Sequence, residues 1–233
     1  MPGAIVQRAE NTVTTSGTNT ITFGSAVTAG NVVVLFILQN TALTRTFVST
    51  GFTEQVAQDA TSTRSMKLRY IVESGTPTTY TVTVGGGLTA TYSVVGYELS
   101  GMDTGSLFVA AAGQQEAAST SHTINAAGQD IGDDDVWLGA AMVDSANASW
   151  GALTFATVTQ DYTAVVGSAS RVNASYVPGS SVSGFTGPFT VGTSRSTFSI
   201  GAVLRGSTAA AGGAILVGGK LEGRGILGGR LAL

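Results

Sequence analysis

Apolar and polar residues alternate with a period of two along one short segment after another of this chain, and no stretch of ten residues carries the 3.6-residue spacing of an amphipathic helix. Period two sends successive side chains to opposite faces of a strand, so the pattern directs the chain into sheets that turn one face to a core. Met66, Leu68, Tyr70 and Val72 fall on one face of such a segment, with Lys67 and Arg69 on the other. Residues 20–23 and 79–84 alternate in the same way, and Gly85-Gly86-Gly87 closes the second. In residues 90–99, Tyr92, Val94, Gly96 and Glu98 oppose Thr91, Ser93, Val95, Tyr97 and Leu99. The run from Val32 to Leu38 is apolar throughout. It is far shorter than the roughly 20 residues a helix needs to cross a bilayer, and it reads as a strand buried on both faces. Further strands are expected at 107–111, 121–125, 136–143, 153–158, 172–177 and 198–204.

Composition agrees with this reading. Gly (32) and Thr (33) make up more than a quarter of the 233 residues. Gly costs about 1 kcal/mol inside a helix, and β-branched Thr loses side-chain freedom there. At 43% apolar residues, the chain has enough to fill a core. A dozen or so short strands separated by Gly, Ser, Thr and Asn clusters predict an all-β fold, an antiparallel two-sheet sandwich of jelly-roll type, as one domain over residues 1–206.

Beyond residue 206 the composition changes. Residues 207–233 form a Gly-rich arm with an imperfect repeat, Ile215-Leu216-Val217-Gly218-Gly219-Lys220-Leu221 and, eleven residues on, Ile226-Leu227-Gly228-Gly229-Arg230-Leu231. Lys220, Arg224 and Arg230 against Glu222 give the arm a net +2; the whole chain is −3, so the remainder carries −5. Eight large aliphatics are more than a solvated tail carries. The expected contact residues are therefore Ile215, Leu216, Val217, Lys220, Leu221, Arg224, Ile226, Leu227, Arg230, Leu231 and Leu233, docking on a neighbouring subunit.

The residue chemistry points away from most enzymes. Charged residues are 11% of the chain, against roughly 25% in ordinary soluble domains, and the mild net negative charge offers nucleic acid no footprint. Cys is absent, so disulfides, thiolate metal sites and cysteine nucleophiles are excluded. The first ten residues lack a basic start followed by an apolar run, so the expectation is synthesis and solubility in a cytoplasm, with no membrane partner. His122, the one histidine, lies in an alternating polar stretch read as an edge strand, with no Gly-x-Ser-x-Gly elbow anywhere to build a triad. Asp130, Asp133, Asp134 and Asp135 raise the question of a hard-cation site, but their spacing is not that of an EF-hand, and a solvated turn before a buried strand is the simpler reading. Glycoside cleavage needs two acids facing each other across a cleft, but Glu54, Glu73, Glu98 and Glu116 each stand alone in the sequence, and Glu98, placed on a core face, calls for a partner such as Arg69 or Arg45. Trp137, Trp150, Tyr162 and Tyr176 are candidates for stacking on sugars, with core packing the alternative. Gly85-Gly86-Gly87 lacks the Lys and the following helix of a phosphate cradle and reads as a loop. No catalytic, cofactor or metal residues are assigned.

Several runs together carry a resemblance: Gly30-Asn31-Val32-Val33-Val34, Tyr80-Thr81-Val82-Thr83-Val84, the strand ending Glu98-Leu99-Ser100-Gly101, and Ile200-Gly201-Ala202-Val203-Leu204-Arg205. Over about residues 1–206 these resemble jelly-roll β-sandwich structural proteins of tailed bacteriophage virions. The resemblance implies a non-enzymatic capsid decoration or cement protein, made in the host cytoplasm and placed on the capsid surface. It also implies the major capsid protein as partner and a homo-oligomer, a trimer by analogy. The alternative is a tail- or fibre-associated glycan-binding module.

Overall fold

The computed structural model describes residues 2–11, 14–40, 46–61, 64–124, 128–143, 159–166, 169–177 and 180–207, with the backbone alone for 14–16, 60–61, 160–166 and 169–170. The proposed strand at 153–158, Trp150, Arg45 and the arm from residue 208 lie outside the described residues. The architecture is all-β. Among the described residues there is no α-helix, and the one helical turn is a 3-10 turn at Gly85–Gly87.

The first half of the chain forms β1 (Ala4–Glu10), β2 (Thr14–Ser16), β3 (Thr18–Thr22), β4 (Val32–Asn40), β5 (Phe47–Val48), β6 (Thr53–Thr61), β7 (Arg64–Val72), β8 (Thr79–Val84) and β9 (Ala90–Ser100). The second half forms β10 (Phe108–Thr123), β11 (Gln129–Ile131), β12 (Val136–Val143), β13 (Thr159–Val166), β14 (Ala169–Tyr176), β15 (Val182–Phe185) and β16 (Pro188–Leu204). Two large sheets, β1-β9-β4-β7-β6 and β10-β16-β12-β14-β13, pack face to face, with β2 also pairing on β9. Small sheets, β3-β8-β5 and β11-β15, cover their outer faces.

Alternation explains the layering. In β4, Val32, Val34, Phe36 and Leu38 enter the central core, where they meet Val136, Leu138, Ala140 and Met142 of β12. Val33, Leu35 and Ile37 point the other way, into a second core closed by Ile21, Tyr80 and Val82. On the far side Trp137, Ala141 and Val143 enter a third core with Ile131, Phe185 and Phe189. A strand buried on both faces has to be apolar at every position, which accounts for the run at 32–38.

The two halves repeat one topology. Strands β1, β9, β4, β7 and β6 correspond in order to β10, β16, β12, β14 and β13. The registers agree residue by residue: Val32 pairs with Leu99 and Val72, and Val136 pairs with Leu204 and, continuing the β12–β14 ladder, lies opposite Val177. Even the irregularities recur. A bulge between Ile5 and Gln7 on β1 matches one between Phe108 and Ala110 on β10, and a bulge between Glu54 and Val56 on β6 matches one between Gln160 and Tyr162 on β13. Because bulges are local, specific features of a strand, two at matching positions mark the halves as copies of one unit. The long strands β10 and β16 each run through two layers, work that the first half divides between β1 and β3 and between β8 and β9.

The sandwich agrees with the expected fold class and adds the two outer layers. The strands expected separately at 107–111 and 121–125 are the ends of one strand, β10, and β1, β2, β5, β6, β11, β13 and β15 were not among the strands expected.

Candidate functional site

Among the described residues, the inner faces of the two halves contrast in polarity at β7 and β14. On β7, Met66, Leu68 and Tyr70 face the central core; the matching positions on β14 are Arg171, Asn173 and Ser175, opposite Met142, Ala140 and Leu138. Where β10 approaches β7, Tyr70 packs edge-on against Phe108 with ring centroids 5.0 Å apart and seals that seam of the sandwich. The other seam lies where β1 approaches β13 and β14. There the matching residues are Ser175 and Ile5, and the smaller pair leaves a groove of about 470 Å³ lined by Ile5, Val6, Gln7, Arg8, Thr159 and Ser175. Among the described residues β1 and β13 are the terminal strands of their sheets, so the groove runs between two sheet edges. Val6, the extra residue of the β1 bulge, is half exposed, and the side-chain amide of buried Asn173, on the same face of β14 as Ser175, has no hydrogen-bond partner.

The β1 wall of the groove is held by a buried carboxylate. Glu98 of β9 accepts hydrogen bonds from the Thr28 N–H (2.8 Å), Asn31 Nδ2 (2.6 Å) and Gln7 Nε2 (2.5 Å). Gln7 also bonds Ser25 through both its amide atoms, tying β1 to the loop before β4. Burial alone pushes the Glu98 carboxyl up, but the bonds from Thr28, Gln7 and Asn31 outweigh it and hold it below its ordinary value of 4.5. The expectation of an Arg69 partner is corrected: Arg69 pairs with Glu54 at 2.9 Å and with Ser49, on another part of the sheet. A carboxylate saturated by neutral donors needs no cation.

Two further glutamates are also held by hydrogen bonds. Glu73 accepts from Tyr80 Oη (2.9 Å) and from the N–H groups of Ser74 and Gly75. Glu116 accepts from Thr123 Oγ1 (2.7 Å) and lies 2.8 Å from His122 Nδ1, which Thr197 Oγ1 also approaches at 3.0 Å. His122 Nε2 faces the Ser119 carbonyl at 2.9 Å; a carbonyl only accepts, so Nε2 carries a proton. The ring is buried and stacks on Phe189, so both nitrogens serve to fasten the bulged stretch of β10 between Glu116 and Ser121.

The acidic turn is also structural. Asp135 is buried and accepts from the Gly132 and Gly206 N–H groups (2.8 and 3.0 Å), which corrects its reading as part of a solvated turn; Asp130 accepts from the Gly184 N–H. The backbone carbonyl of Asp134 lies so close to Gly206 that a Cβ there would overlap it, which explains glycine at this position. Among the described residues no three His, Cys, Asp or Glu side chains converge to hold a metal ion. Trp137 is fully buried, edge-on to Phe185 at 4.9 Å, and Tyr176 stacks on Phe185, so both belong to the third core. The Tyr162 side chain, Trp150 and the arm residues Ile215 to Leu233 lie outside the described residues.

Two buried tyrosines give the fold a pH signature. Burial, with Glu73 second, raises the Tyr80 hydroxyl far above its ordinary 10.0, and burial alone pushes Tyr92 up to about 12. Raised values favour the protonated form in the fold, so this contribution to stability is whole below pH 10 and is lost as pH rises through the folded values. In an ultraviolet titration, Tyr80→Phe and Tyr92→Phe should each lower by one the number of tyrosines that remain un-ionised at pH 11. Complete ionisation of a still-folded chain at pH 11 would contradict the packing described.

Compared with known families, curated proteins and solved structures, the chain matches no family model, no curated sequence and no solved structure.

Proposed function

We propose that this chain is a non-enzymatic structural component of a phage-type virion, a capsid decoration or cement protein that binds across adjacent major capsid subunits as a homo-oligomer, a trimer in the simplest form. The observation that carries the reading is the pair of unequal seams: one sealed by Tyr70 and Phe108, the other left open between two strand edges beside the point where the chain runs out toward its apolar arm. A layered β body carrying an apolar, Gly-rich arm suits a protein that adds many weak contacts along a seam between neighbours.

The outer face supports the same reading. Thr18, Thr20 and Thr22 of β3 lie opposite Thr83, Thr81 and Thr79 of β8, all exposed, with the Thr20 and Thr81 hydroxyls 3.4 Å apart. Such a hydroxyl face makes polar, water-bridged contacts without promoting aggregation. The glycan-binding alternative loses two of its aromatic candidates, since Trp137 and Tyr176 are in the core. The purified chain is expected to sediment with capsids of the parent particle assembled without it, and to saturate at a fixed ratio to the major subunit. A chain that stays in the supernatant at every concentration overturns the proposal.

A further inference from the structure

We infer that the open seam is the receptor for the apolar repeat of a second copy, residues 215–221, which adds an extended strand along the outer edge of β1. This rests on the proposed role of the arm and names the surface it takes. Among the described residues β1 is the terminal strand of its sheet, and an edge strand can take a further strand by backbone hydrogen bonding while side chains fill the groove. The repeat and β1 are both seven residues long. In an extended strand Ile215, Val217 and Leu221 share one face, with Gly219 between them leaving room for a close approach, and Lys220 falls on the other. The arm's net +2 complements the −5 of the remaining chain.

The exit point argues for a second copy rather than the arm's own seam. The Ser207 N–H bonds the Gly101 carbonyl, next to Ser100, the register partner of Ala4 at the start of β1. Gly206 bridges Met102 antiparallel, as β1 pairs with β9, so the chain leaves in the direction of β1. Seven residues separate Ser207 from Ile215; a chain continuing along its own β1 lays Ala and Gly there and carries Ile215 past Glu10. The 26 residues beyond Ser207 reach about 85 Å when extended, enough to cross to a neighbour. If each copy gives its repeat to the next, the exchange closes a ring.

The chain has no cysteine, which makes the test direct. Val6→Cys is combined in the full chain with Leu216→Cys or, to allow for register, with Ile215→Cys or Val217→Cys, and the protein is oxidised mildly and run on a non-reducing gel. Covalent oligomers are expected from at least one pair, well above single-cysteine controls. Adding Ile5→Phe and Ser175→Tyr, which copies the sealed seam, should reduce them to the control level while the cooperative melt is retained. If that double variant does not fold, Thr159→Tyr, at the groove rim, is the substitute. An intramolecular disulfide in place of oligomers, no disulfide from any pair, or oligomers that persist with the seam filled each overturn the inference. The readout uses the isolated chain, so its failure leaves capsid sedimentation standing, and the reverse also holds.

Discussion

Separated at the exposed turn after Asp103, the two halves of the chain are expected not to fold as monomers, although each contains a complete set of strands. The central core is shared: ten buried side chains come from the first half, among them Phe36, Leu38 and Tyr97, and nine from the second, among them Leu138, Met142 and Phe198. Leaving a large apolar side chain exposed forfeits about 1.5–3 kcal/mol, so ten of them forfeit about 15–30 kcal/mol. That exceeds the roughly 5–15 kcal/mol by which a whole domain is stable. Fragments 1–103 and 104–233 should each lack a cooperative melt at low concentration, and mixing them should restore one. A cooperative, monomeric melt from either fragment would show that the halves are independent domains and that the shared core has been misjudged.

Glu98→Ala is expected to cost roughly 3–5 kcal/mol, because it leaves the Thr28 N–H and the Asn31 amide buried without an acceptor, at about 1–3 kcal/mol each, and releases Gln7 from β9. The effect depends on pH. A depressed carboxylate contributes stability above its ordinary value of 4.5 and loses it as pH falls through the lower folded value, so the gap between wild type and variant should narrow in acid. Chemical denaturation at pH 7 and pH 3 measures this; an equal gap at both would mean that Glu98 is not held as an anion. Since Gln7 also lines the groove, the same substitution should loosen the β1 wall and weaken cross-linking in the seam.

Much of the fold was legible because local pattern and global burial agree. Residues 32–38, 66–72, 79–84 and 136–143 are strands in which every apolar position except the exposed Val72 has a core to enter. The middle of β10 was not legible: Ala110 to Ala118 is rich in Ala, Gln and Glu, residues that favour helix, and only the ladder to β16 makes it a strand. The duplication was hidden for a related reason. Equivalent positions keep their place in the register but not their identity, as with Leu68 and Asn173, and the clearest echo is Gly96-Tyr97-Glu98-Leu99-Ser100-Gly101 against Gly201-Ala202-Val203-Leu204-Arg205-Gly206. The need for a partner to Glu98 followed from alternation, but its donors lie 67 to 91 residues away in sequence and are neutral, so a search for cations pointed to the wrong side chain. The open seam depends on which edges face each other across the sandwich, which no local pattern encodes.

We propose that a duplicated sandwich with one open seam holds neighbouring subunits together by receiving an arm. High-resolution imaging of the assembled particle tests it most directly. The expected result is this chain on the capsid surface between major capsid subunits, with an extended strand from a neighbouring copy paired along Ala4–Glu10. Particles in which the β1 seam is empty, or a chain found monomeric and unattached to the capsid, would contradict it.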